Sequence, residues 1–204
     1  MMAPEDRGAH SQFSSNQNFA PARKRFAFAL AATFIATAFP AYANDKPAQL
    51  ERWKAGDKPA FVLRDVDGKD FRLTSLRGRV VFLHFFATWC EPCREELPAL
   101  RRLVERGANQ KITVLAISVA EVPDRIRRFF DKEKIALNFP VLLDEDRAVT
   151  KRWGMQILPS TVVLDPTLKP RLVVERDFKW DDLDLNDMLS RIPGAKAAAR
   201  EAKS

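Results

Sequence analysis

The stretch Val80–Phe86 (Val-Val-Phe-Leu-His-Phe-Phe) carries no charged side chain and runs directly into Ala87-Thr88-Trp89-Cys90-Glu91-Pro92-Cys93. Seven such residues in a row, with His84 as the one polar member, suit a strand covered on both faces, the usual state of a central strand in an α/β sheet. Beyond the cysteines, Leu97, Leu100, Leu103 and Val104 recur at helical spacing up to Gly107, predicting a helix with one apolar face. A buried strand that turns straight into an amphipathic helix needs parallel neighbours and helical cover. The chain is therefore expected to be α/β.

The flanking segments extend the same pattern. Ala60–Arg64 and Asp70–Leu73 alternate across Asp67-Gly68, a hairpin signal. Lys111–Val119 reads as a second buried strand, and Pro123–Lys134 as a helix with Pro123 in its first turn and Ile126, Phe129 and Phe130 facing inward. A short strand (Phe139–Leu143), a short helix (Arg147–Trp153), a hairpin about Pro166 (Thr161–Asp165 with Arg171–Arg176) and a last helix (Leu183–Ile192) complete the domain. The expected architecture is a central sheet of mixed strand direction flanked by helices. It spans 57–192, after a linker over 44–56 and before a disordered Ala/Lys-rich tail over 193–204.

Residues 1–43 read as an export signal. Arg23-Lys24-Arg25 precedes Phe26–Phe39, fourteen residues without charge, and then Pro40-Ala41-Tyr42-Ala43 gives a small-x-small ending. Fourteen helical residues reach roughly 21 Å, short of the roughly 30 Å hydrocarbon core, which favours a cleaved leader over a retained anchor. Its loss removes Arg7, Arg23, Lys24, Arg25, Glu5 and Asp6, lowering the formal net charge from +7 to +5. That excess is spread over solvated helix faces and does not make a nucleic-acid surface. The expected destination is the periplasm. There a vicinal cysteine pair oxidises unless it is kept reduced, so the pair is an oxidant or a reductant supplied with electrons.

Cys90 and Cys93 are the only two cysteines, and the small loop between them would constrain little chain as a staple. A zinc site would need further ligands, and His10 and His84 lie far away in sequence, so no metal is expected. At a helix N-terminus, unpaired N–H groups and the positive end of the dipole stabilise a thiolate. Two intervening residues bring the second sulfur one turn along, within bonding reach. Pro92 fits the first turn because its missing N–H has no partner there in any case. Cys90 is then the exposed nucleophile and Cys93 the resolving thiol, with their own disulfide as the redox group and no other cofactor.

The run Phe85-Phe86-Ala87-Thr88-Trp89-Cys90-Glu91-Pro92-Cys93-Arg94-Glu95-Glu96-Leu97-Pro98 resembles the active-site segment of the TlpA/ResA branch of the thioredoxin superfamily. Phe61-x-Leu63-x-Asp65-x-x-Gly68 with Leu73, Leu76 and Gly78 is similar to that branch's N-terminal hairpin, and Asn138–Asp144 to its insertion. The resemblance implies a thioredoxin-like fold and a thiol–disulfide oxidoreductase of exported proteins, commonly in cytochrome c maturation. Such a protein would act on protein thiols and disulfides as a monomer, recharged by a membrane electron donor of the DsbD/CcdA type. It also implies a cis-proline at Pro159 in Leu158-Pro159-Ser160-Thr161, which with Trp89 and Pro92 would contact substrate; Ser160 stands where the family often has Thr.

Two further residues bear on protons. Glu96 matches a position where the resembled branch holds a partly buried carboxylate beside the resolving thiol, and such a group could accept the Cys93 proton; otherwise it is a solvated glutamate like Glu95. His84 lies six residues before Cys90, where thioredoxin has a buried acid. It would serve as a neutral relay, as a thiolate-stabilising cation, or merely as a core histidine. Glu91 puts a negative charge beside Cys90 and so tilts the couple towards reduction. The competing readings are an oxidase, which reverses the direction, a peroxidase on the same fold, and a redox-inert binding module.

Overall fold

The computed structural model of the chain describes residues 48–196; the expected leader over 1–43 lies outside them. Among the described residues eight strands form one sheet: β1 (Glu51–Arg52), β2 (Val62–Asp65), β3 (Asp70–Arg72), β4 (Val80–Phe86), β5 (Ile112–Val119), β6 (Val141–Asp144), β7 (Ser160–Leu164) and β8 (Pro170–Val174). They lie in the order β1-β8-β7-β4-β5-β6-β2-β3. Strands β4, β5 and β6 are parallel; every other pairing is antiparallel. The helices are α1 (Glu91–Arg106), α2 (Pro123–Glu133), α3 (Ala148–Trp153) and α4 (Leu185–Ser190). The sheet is mixed and the helices flank it, as expected.

Strand β4 is buried at all seven positions. Its alternating side chains feed two cores. Val80, Phe82 and Phe86 share a cluster with Leu97, Leu100 and Leu103 of α1, Ile126 of α2, and Leu185, Met188 and Leu189 of α4. Val81, Leu83 and Phe85 join the opposite cluster with Val149 and Trp153 of α3 and with Phe61 and Leu73. A strand covered on both sides needs apolar residues on both faces, which is why its sequence does not alternate. His84 belongs by parity to the α1 face.

The β2–β3 hairpin turns where Gly68 takes φ 82°, a conformation open to glycine at little cost. Asp65 fixes that turn, its Oδ1 accepting from the N–H groups of Asp67 and Lys69.

Among the boundaries that differ from expectation, four have a local reason. Within the supposed linker, Glu51–Arg52 pairs with Val173 and Leu172 as the edge strand β1. Strand β6 begins at Val141, after Pro140, which lacks an N–H to give to a ladder. Helix α4 is shorter than 183–192, because a 3-10 turn over Trp180–Asp182 precedes it and Asp184 caps it by accepting from the Asp187 N–H. The expected tail from 193 begins as packed chain: Gly194 turns at φ 78° and Ala195 is buried in the α1-face core.

Candidate active site

Cys90 is the N-cap of α1, with extended backbone (φ −87°, ψ 106°), and its Sγ accepts from the Cys93 N–H at 3.3 Å. Glu91 and Pro92 form the first turn, where proline's fixed φ and missing donor suit the helix start. The two sulfurs are bonded, with the Cα atoms 5.3 Å apart. Cys93 has no exposed surface and Cys90 keeps 7%. The order of access is thus Cys90 first, Cys93 behind it. Trp89 stands out at 65% exposure, and Pro92 is also exposed.

The β4–β7 register sets what lies beneath. Phe85 pairs with Ser160, so Leu158-Pro159 sits at the start of β7, level with the end of β4 that leads to Cys90. The Leu158–Pro159 peptide is cis, with Pro159 buried and Leu158 partly buried between the two cores.

His84 pairs with Thr161 in the same register, and their side chains meet at 2.9 Å (Nδ1 to Oγ1). The ring is fully buried and lies parallel to Phe86, with centroids 6.1 Å apart. Burial pushes its pKa down to about 3, so the imidazole is neutral at physiological pH and the cation considered for it is absent there.

Glu96 follows Cys93 by three residues, one turn along α1 on the same side. It is buried, unlike exposed Glu95. Its carboxylate accepts two short hydrogen bonds, from the Phe178 N–H to Oε1 and from Trp180 Nε1–H to Oε2, each 2.6 Å. Burial pushes its pKa up to about 7; the Trp180 and Phe178 bonds pull the other way, and Asp177 adds a small upward push. Outside the site, Arg102 pairs with Asp181, and Arg106 donates to the Trp180 carbonyl at 2.6 Å. The segment carrying Glu96's donors is therefore also fastened to α1 further along the helix, at Arg102 and Arg106.

Sequence reasoning missed Glu121. It follows β5 by two residues, at the C-terminal edge of the parallel strands where α/β sheets place their sites, and that position was the available signal. Its buried carboxylate accepts from the Thr88 N–H (2.9 Å), the Thr88 hydroxyl (2.5 Å) and the Ser118 hydroxyl (2.9 Å) and pairs with Arg125 Nε at 3.0 Å. Thr88 lies two residues before Cys90, so this cluster grips the turn between strand and redox helix.

The arrangement is that of a thiol–disulfide exchange centre: a disulfide at a helix start, one sulfur accessible, and an acid of near-neutral pKa one turn below the other. Residues 55–171 match the AhpC/TSA family. The chain is 34% identical over 125 residues to the thiol-disulfide oxidoreductase ResA of Geobacillus thermodenitrificans, covering 61% of this chain and 71% of that protein. It is 31% identical over 147 residues to ResA of Halalkalibacterium halodurans, covering 70% and 82%. The fold is similar to that of a secreted thiol-disulfide isomerase from Corynebacterium glutamicum, with a TM-score of 0.59 at 23% identity over 78% of this chain and 95% of that one.

Proposed function

The chain belongs to the AhpC/TSA family and is a thiol-disulfide oxidoreductase of the ResA type, and from that premise we propose that it works as a reductase of disulfides in exported proteins. In the reducing direction the Cys90 thiolate attacks one sulfur of the substrate disulfide and expels the other as a thiolate. Cys93 then attacks Cys90 within the mixed disulfide, which releases the second substrate thiol and leaves Cys90–Cys93 oxidised. Two electrons have passed to the substrate, and a dithiol donor must return two to Cys90–Cys93.

The observation that carries the direction is the buried Glu96. Its hydrogen bonds come from two neutral donors, and the nearest histidine, His84, is neutral. A thiolate formed in α1's first turn adds negative charge close to this carboxyl and to Glu91, which is 69% exposed and paired with Arg94. Both oppose the thiolate, and a dithiol whose thiolate is not stabilised is readily oxidised, which makes it a reductant. Glu96 also suits the resolving step. With a pKa of about 7 it is half ionised at neutral pH and takes up the Cys93 proton as that thiol attacks. His84, held neutral by its burial and hydrogen-bonded to Thr161, keeps the floor of the site uncharged.

Export is supported by the basic cluster, apolar run and Ala-Tyr-Ala ending within residues 1–43. In that compartment the substrates would be exported protein disulfides, including the haem-site cysteine pair of an apocytochrome c, and the electrons would come from a membrane thiol carrier. Cys90–Cys93 would be the sole redox group of a monomeric protein. Equilibration with dithiothreitol or glutathione tests the direction: the expected reduction potential lies below about −200 mV, and a value near the strong-oxidant range of about −120 mV would make the protein an oxidase instead.

A further inference from the structure

The cluster at Glu121 is built at evident cost. Ala120 adopts φ 60°, a left-handed conformation that residues with a Cβ seldom take, while its N–H is held by the Asp144 carbonyl at 3.0 Å. That twist turns Glu121 back under the strand ends, where it is 3% exposed and receives the Thr88 N–H, the Thr88 hydroxyl, the Ser118 hydroxyl and Arg125. Arg125 Nε also reaches the Thr88 hydroxyl at 3.2 Å. A buried carboxylate with this many donors is satisfied, and removing it would strand several of them at once.

What the cluster joins is informative. Among the described residues four large apolar side chains are exposed: Val62, Trp89, Val122 and Ile157. Trp89 follows Thr88 directly, and Val122 follows Glu121. The Glu121–Thr88 bonds therefore tie together the backbones that present two of the four, and Trp89 abuts Cys90. An apolar side chain held in water by a rigid backbone loses little further entropy when a partner covers it.

We propose that Glu121 is a positioning residue that holds Trp89 and Val122 in a preset contact surface for the polypeptide around a substrate disulfide. It rests on the thiol–disulfide exchange reading, with either direction of electron flow. Glu121 does not touch the sulfurs; it acts through Thr88. Its removal should slow exchange with a protein disulfide, which needs the surface, and spare exchange with a small disulfide, which needs only Cys90.

The test compares the reduced protein with its Glu121→Ala, Glu121→Gln and Thr88→Val variants, each assayed with insulin and with hydroxyethyl disulfide. Glu121→Ala is expected to lower the insulin rate about tenfold while the hydroxyethyl disulfide rate stays within about twofold. Glu121→Gln, which keeps an acceptor for the Thr88 N–H, should recover part of the loss. Thr88→Val removes only the hydroxyl and should lower the insulin rate by roughly threefold, which also keeps the idea testable where Glu121→Ala does not fold. Equal losses on both substrates, or unchanged rates on both, overturn the proposal. Wild-type protein that reduces neither substrate would instead remove the exchange reading, and this inference with it.

Discussion

The Nδ1 atom of His84 lies 3.7 Å from Oε2 of Glu96, both side chains are buried, and yet the two do not form an ion pair. The contact is longer than a hydrogen bond, and burial pushes the two pKa values in opposite directions, His84 down to about 3 and Glu96 up to about 7. Each group favours its neutral form. The result is a pair of opposed proton linkages beneath the redox helix. Between about pH 4.5 and 6.5 one destabilises the fold as pH falls and the other as pH rises.

Glu96→Gln isolates the first linkage. Glu96 has an ordinary pKa of 4.5 and a folded value of about 7, so the folded state holds its proton longer. The stability it contributes is present below pH 4.5 and is lost as pH rises through 7. The glutamine variant lacks that loss, so it should gain on wild type across this window, by on the order of 3 kcal/mol from end to end. Urea midpoints at half-unit pH steps report the slope. A difference that stays flat from pH 4.5 to 8 would mean that folding does not raise the Glu96 pKa.

His84→Asn isolates the second. The folded pKa of about 3 lies below the ordinary 6.5, so protons favour the unfolded chain. Wild type should therefore lose stability as pH falls from 6.5 towards 3, and the variant should not. Asparagine leaves a small cavity and lowers stability at every pH, so the informative quantity is again the slope. Equal slopes for the two proteins between pH 6.5 and 4 would contradict a buried neutral imidazole.

Trp180→Phe removes the indole donor to Glu96 and keeps most of the packing against Phe82, whose ring meets Trp180 edge-on at 5.9 Å. The Trp180 bond is the largest influence holding the Glu96 pKa down, so its loss should move that pKa above 7. Carboxyl-carbon NMR of Glu96 against pH measures this directly. The same variant should be less stable by about 1–3 kcal/mol, the cost of a buried acceptor losing one donor. A titration midpoint that stays where it is in wild type would show that the bond is weaker than its 2.6 Å length implies.

Much of this site was legible in the sequence because its signals are local. Six apolar residues around a single histidine announce β4, and a cysteine followed by Glu-Pro announces both the helix start and the order of the thiols. The environment of Glu96 was not legible, since its donors lie 82 and 84 residues away and nothing near position 96 encodes them. Glu121 was hidden in another way: a charged residue after a strand normally marks a solvated turn, and only the parallel register Phe86 to Ser118 brings it under Thr88. Strand β1 has two exposed side chains and is defined by backbone pairing alone, so no pattern of side chains could signal it.

The order of attack gives the most direct prediction. Cys90 retains some exposure and caps the helix, while Cys93 is enclosed by the α1-face core. A bulky disulfide can reach only the first, and the second can act only inside the molecule once Cys90 is bonded to the partner. The Cys93→Ala variant should therefore accumulate a mixed disulfide through Cys90 when incubated with a protein disulfide, seen as a band that collapses on adding dithiothreitol. Cys90→Ala should give little or none, because the remaining thiol has no access. Identification of the species trapped from an exported extract by mass spectrometry would name the substrate. Were the adduct to form through Cys93 with Cys90 absent, at a rate near that of the Cys93→Ala variant, the roles drawn from burial would have to be exchanged.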